Sequence, residues 1–188
     1  MSDMNYSEFA EVYEKLYGTS KRLEKENILA DFIKKIVQHG EGEWIYLLRG
    51  KVWPDYNEKE FGISQKLSIK IISVSFGVKE EEIHRRFRKL GDLGDIAEEF
   101  AKRKEQKNLF SSKLTVKKVF LNLRKLMEIE GRGAVKSKLD LISDLLGNAS
   151  GGEVKYIIRT LLGQLRIGVA DAVLRDAIAE AIFPEEKK

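Results

Sequence analysis

The amino-acid sequence predicts an all-α fold, a single compact multi-helix domain of roughly nine or ten helices. Three observations carry that expectation. Nearly every segment repeats its apolar residues at spacings of three and four, the period of a helix with one buried face. Two prolines among 188 residues, with 34% of residues charged, leave few breaks and a well-solvated surface. Helix-start signals stand where the periodic runs begin, including two pairs at capping-box spacing.

The elements follow in chain order. Asn5 and Glu8 open the first run, which places Phe9, Val12, Tyr13, Leu16 and Tyr17 on one face. The run "LEKENILADFIKKIVQHG" stops at Gly40, with His39 read as a helix-end cap. "EWIYLLRG" is short and apolar, and "KVWPDYNEKEFG" reads as a loop because Pro54 and Asp55 break the pattern. "SQKLSIKIISVSFG" has the Ile and Val content of a strand. Its helical neighbours and a stripe of Leu67, Ile71, Val74 and Val78 favour a buried helix. "KEEEIHRRFRKLG" sets acids first and bases last, matching the helix dipole, with His84 on its basic face. "DLGDIAEEFAKRK" follows, with Gly91 and Gly94 read as turn and helix-start glycines.

The second half has the same style. "TVKKVFLNLRKLMEIEG" runs from Thr115 to Gly131, and "KSKLDLISDLLG" ends at Gly147. Ser150 and Glu153 form the second capping-box pair, before "YIIRTLLGQLRIG". "ADAVLRDAIAEAIF" closes the series. No Gly/Ser linker divides the chain and no short-period repeat is visible. The expected domain is therefore residues 1–188, with 1–105 and 106–188 as candidate subclusters.

Composition narrows the function. Cysteine is absent, which excludes disulfides, thiolate zinc sites and cysteine nucleophiles. With no bilayer-length apolar run and no signal peptide, a cytoplasmic, monomeric protein without membrane partners is expected. Catalytic constellations are scarce. The two histidines lie far apart, no phosphate-binding P-loop is present, and "GRGAVK" lacks the third glycine of a dinucleotide fingerprint. No active site, metal site or cofactor is expected in the chain itself.

Charge is the informative feature. Residues 1–100 carry 16 Lys and Arg against 19 Asp and Glu, whereas residues 101–166 carry 15 against 6. That asymmetry suggests one face for a polyanion. The excess gathers at four breaks between helices. Lys113 and Thr115 stand at one, and Arg132, Gly133, Lys136 and Lys138 at the next. Lys155 and Arg159 lie just inside the helix after Ser150, and Gly163, Arg166 and Gly168 form the fourth. Lysines in a first helical turn oppose the dipole, and a bound phosphate would reverse that sign. Each glycine also has an ordinary explanation as a helix end. Four basic breaks with few exposed aromatics point to duplex phosphate contact rather than base stacking.

These stretches resemble a known family. "GKVWPDYNEKEFG", "GDLGDIAEEF", "LTVKKVF", "GRGAVKSKLDLISDLL" and "YIIRTLLGQLRIGVADAVLRDAIAEA" together are similar to the N-terminal DNA-binding domain of replicative ATP-dependent DNA ligases of archaeal type. The resemblance runs from about Tyr6 to Phe183, with "LRIGVAD" its most specific block. It implies an all-helical domain that grips the minor groove around a nick in double-stranded DNA, with Gly163, Arg166, Gly168, the "GRGAVKSK" turn and the region of Arg159 near phosphates. It also implies that ATP and Mg belong to a separate catalytic domain. Two departures stand out. The adenylated lysine of a K-x-D-G motif has no match, since Lys138-Leu139-Asp140-Leu141 lacks the glycine. The family usually has Gly-Ser after the first Gly-x, whereas here Ala134 and Val135 follow Gly133. The chain is thus expected to be a non-catalytic ligase fragment. "QKNLF" resembles a sliding-clamp-binding motif, through Gln106, Leu109 and Phe110. Those two apolar residues equally suit core packing at a helix start.

Overall fold

A computed structural model describes residues 3–105 and 113–183. Among the described residues it holds nine α-helices and one 3-10 helix, and its only β pairing is a single isolated bridge. The all-α expectation is met. The helices are α1 (Tyr6–Tyr17), α2 (Arg22–Gln38), the 3-10 helix (Gly42–Arg49), α3 (Gln65–Phe76), α4 (Glu80–Leu90), α5 (Leu93–Glu105), α6 (Val116–Met127), α7 (Ala134–Gly147), α8 (Gly151–Leu161) and α9 (Asp171–Ile182). Both capping boxes form, at Asn5 with Glu8 and at Ser150 with Glu153. His39 is the C-cap residue of α2, and Gly91 takes the left-handed cap of α4.

Helix α8 is the axis of the core. Glu153 through Leu161 are all buried, and α1 and α5 pack on it. Gly94 in α5 and Gly151 in α8 permit this approach. A Cβ on Gly94 would sit 2.8 Å from Arg159 Cγ and 2.9 Å from the Lys155 carbonyl oxygen. Two face assignments need correction. Tyr17 is exposed, because the buried face of α1 ends at Leu16. In α3 the buried residues are Ser68, Ile69, Ile71 and Ile72, and Val74 faces solvent. That helix lies among α4, α5 and α7, so it buries a broader sector than a single stripe.

The helices fall into two series of similar order. The series α1, α2, 3-10 helix, α3 is matched by α6, α7, α8, α9. Helices α1 and α6 have 12 residues each, as do α3 and α9. The two series meet at the antiparallel bridge between Asn5 and Thr115. There the Tyr6 N–H donates to the Leu114 carbonyl and the Val116 N–H donates to the Met4 carbonyl, both at 2.8 Å. Such a reciprocal pair of bonds is what an antiparallel bridge makes. Partners are exchanged between the series, since α2 packs on α9 and α7 packs on α3. Helices before and after the candidate division at residues 105 and 106 pack on one another, α5 on α8 as well as α2 on α9 and α3 on α7.

Candidate nucleic-acid interface

The segment 162–170 between α8 and α9 has an unusual backbone. Gly163 and Gly168 have φ of +64° and +60°. Arg166, at φ +58°, is the only non-glycine residue with positive φ among the described residues. A bulky residue in that region costs on the order of 1–2 kcal/mol, so its surroundings must over-determine it. Ile167 is buried beside it, and the buried Lys25 of α2 donates to the carbonyls of Ile167 and Gly168, both at 2.7 Å. Arg166 Nη2 donates to the Gly91 carbonyl at 3.1 Å and to Gln164 Oε1 at 3.2 Å, and Nη1 lies 3.3 Å from Asp92 Oδ2. The guanidinium nonetheless keeps 43% of its side-chain surface exposed. It is aimed, charged and accessible.

Asp92 links this turn to the core. Its Oδ1 accepts from the N–H groups of Gly94 and Asp95 at the start of α5, at 2.8 and 3.3 Å. Its Oδ2 accepts from Arg159 Nη2 at 2.8 Å, and that same nitrogen reaches Asp95 Oδ1 at 3.1 Å. Lys155 pairs with Glu14 at 2.6 Å, Asp95 at 3.2 Å and Glu98 at 3.6 Å. Burial alone would raise the Asp92 carboxyl, but hydrogen bonding from Arg159, the charges of Arg159 and Arg166, and the Gly94 N–H hold it below the usual carboxylate range. Desolvation likewise works against the Lys155 ammonium, yet its bonds to Glu14 and Asp95 leave it above the ordinary lysine value.

The structure gives Lys155 and Arg159 a different task from the phosphate contact expected of them. Arg159 is 2% exposed and Lys155 is 7% exposed, and both charges are answered by carboxylates of α1, α5 and the turn before it. Helical spacing could not show this, because the partners lie far away in sequence. The signal that could have found it is the acidic pair in "GDLGD", which faces the basic pair of α8.

The other predicted residues fall into two groups. Lys138 donates to the Phe61 carbonyl at 2.7 Å, and loop residue Lys59 reaches Glu128 at 2.5 Å. The first bond ties the start of α7, with Arg132, Gly133 and Lys136 exposed, to the loop 50–64, and the second ties the end of α6 to it. That loop shares a cavity of about 700 Å³ with Leu161, Leu162 and Gly163. Two of the four basic breaks thus border one face. Lys113 and Thr115 stand at the opposite end of α6, where Thr115 Oγ1 accepts from the Lys118 N–H at 3.2 Å as an N-cap. Lys118 lies 3.8 Å from Asp144, so this break adjoins the end of α7 and the Ser150 start of α8. Gln106, Leu109 and Phe110 lie outside the described residues. Among the described residues no group of three His, Asp or Glu side chains could hold a metal, and no helix is long and apolar enough to cross a membrane.

Fold and site together define an all-helical domain in which two of the four basic breaks, at Arg132–Lys138 and at Gly163–Gly168, adjoin the loop 50–64. A family model described as DNA ligase N terminus matches residues 5–179, and the chain belongs to that family. Its relatives include the DNA ligase of Thermococcus onnurineus, 41% identical over 181 residues, covering 96% of this chain and 32% of the relative. Those of Methanosphaera stadtmanae, at 41% over 185 residues, and Sulfolobus acidocaldarius, at 38% over 184, cover 96% and 94% of this chain and 33% and 31% of their own lengths. The chain spans about a third of the length of these curated relatives and corresponds to the N-terminal region of archaeal-type DNA ligases.

Proposed function

We propose that this chain holds double-stranded DNA around a nick, through sequence-independent contacts to phosphates and the minor groove. In that role it is the non-catalytic part of an ATP-dependent ligase, and the adenylate-accepting lysine with its ATP and Mg belongs to another domain. The observation that carries the reading is Arg166. A charged residue held in a strained left-handed conformation, braced by Asp92 and by Lys25 through the carbonyls beside it, yet 43% exposed, is built to meet an anion. Gly163 and Gly168 on either side let a phosphate backbone come close. Membership in the ligase N-terminal family supports DNA as that anion.

Fluorescence anisotropy with a nicked duplex tests the proposal. Affinity should fall steeply with salt, log K dropping by roughly 0.9 per phosphate neutralised for each tenfold rise in salt, and should be nearly the same across sequences. No detectable binding at low salt, or binding indifferent to salt, refutes it. Incubation with labelled ATP should leave this chain unlabelled. A covalent adenylate on it would refute the non-catalytic assignment.

A further inference from the structure

Lys25 of α2 stands behind the turn at 163–168 rather than in it. It is 7% exposed, and its ammonium donates to two successive carbonyls, those of Ile167 and Gly168, both at 2.7 Å. Successive carbonyls point to one side only where the residue between their peptide planes is helical, right-handed or left-handed. The two bonds together therefore fix the backbone of Gly168, at φ +60°. They also offset the cost of taking the ammonium out of water.

The ammonium occupies the place that a side chain at 168 would take. A Cβ on Gly168 would lie 2.7 Å from Lys25 Nζ, closer than unbonded atoms approach. Gly163 has nearly the same left-handed backbone, at φ +64°, and open space where its Cβ would go. Within the protein, Gly168 thus answers two demands, a positive φ and room for a cation, and Gly163 answers only the first. The same arrangement recurs in the loop 50–64. Lys138 donates to the Phe61 carbonyl at 2.7 Å, and a Cβ on Gly62, at φ +63°, would lie 2.8 Å from its Nζ. A lysine seated against a left-handed glycine is a built feature of this fold, used once before α3 and once before α9.

We propose that Lys25 is a positioning residue for DNA holding, and that position 168 is glycine to make its seat. The first part rests on the reading of Arg166 as the contact to DNA. Lys25 itself touches no DNA in this arrangement. It locks Gly168, and the buried side chain of Ile167 carries that anchor one residue on. Arg166 is then held at φ +58°, with its guanidinium against the Gly91 carbonyl and Asp92. Without the lock the strained arginine relaxes toward an ordinary backbone region, and its aim is lost while its charge remains.

Two comparisons on this chain test the inference. In urea, Gly168→Ala and Gly163→Ala carry the same backbone penalty, but only the first evicts the ammonium. Its midpoint should therefore be lower by about 0.5 M. In a Lys25→Ala background that gap should close. Equal midpoints in the natural chain, or a gap that persists without Lys25, overturn the seat. The second comparison reads fluorescence anisotropy on a nicked duplex for Lys25→Met, Arg166→Ala and the double variant. Lys25→Met keeps the apolar stem and removes the charge, and it should weaken binding several-fold. Arg166→Ala should cost roughly tenfold in the natural chain and under about twofold in the Lys25→Met chain. Equal losses in both overturn the positioning role, because a residue that only stabilises the fold gives additive losses. If the natural chain binds no duplex at low salt, the DNA-holding reading fails and takes the positioning role with it, while the urea comparison still decides the seat.

Discussion

Arg166 is the residue at which the proposed DNA-holding role meets the stability of the fold. Replacing it with Ala should weaken all duplexes alike, by about 1–3 kcal/mol if its phosphate bond is charge-assisted. A loss confined to one sequence would contradict backbone contact. Comparing Arg166→Gly with Arg166→Ala in urea separates the backbone strain. Glycine accepts φ +58° freely, so the Gly variant should be the more stable by about 1 kcal/mol. Asp92 is the complementary test. Asp92→Asn leaves the buried Arg159 short of its closest carboxylate and should cost about 3–5 kcal/mol in denaturant unfolding. Because its carboxyl lies below the ordinary range in the folded state, its contribution is complete above the unfolded carboxylate range near pH 4. It is lost as pH falls through the lower folded value. Acid unfolding of Asp92→Asn should therefore have a shallower pH slope below about pH 4. The oddity of Arg166 was legible in the sequence, since a lone arginine between glycines breaks an apolar pattern. The burial of Lys155 and Arg159 was not, because a basic residue on a helix looks the same whether it faces solvent or a distant aspartate.

Among the elements, α8 and the turns around it matter most. Its sequence gave away the helix through the Ser150 and Glu153 box, and the structure forms that box. Its near-total burial was hidden, because Lys155 and Arg159 lend it the look of a half-solvated helix. The approach of α5 rests on Gly94. Gly94→Ala should destabilise by about 1–3 kcal/mol, since the added Cβ meets a backbone carbonyl at 2.9 Å that cannot easily yield. Thermal unfolding checks this, and an unchanged Tm would mean that α5 and α8 can separate without loss. The face of α3 was misread for a related reason. A helix enclosed on several sides needs no single stripe, and period alone cannot tell how many neighbours it has.

The whole molecule is two similar series locked through exchanged helices, and this level was least legible. The packing of α2 on α9 and of α3 on α7 joins stretches far apart in sequence, and no local pattern signals it. Exchange predicts cooperativity. Denaturant unfolding followed by helix content and by Trp fluorescence should give one coincident transition. A fragment holding residues 1–105 should fail to fold, and an independently folded fragment would contradict the exchange. The pairing of α2 with α9 also bears on birth at the ribosome. The side of α2 that packs on α9 finds its partner only when residues 171–182 have been made. At typical synthesis speeds that is a delay of roughly 7–30 seconds. Throughout it, an apolar helix face waits in solvent, a natural client for a chaperone and a point where slow translation would raise the risk of aggregation.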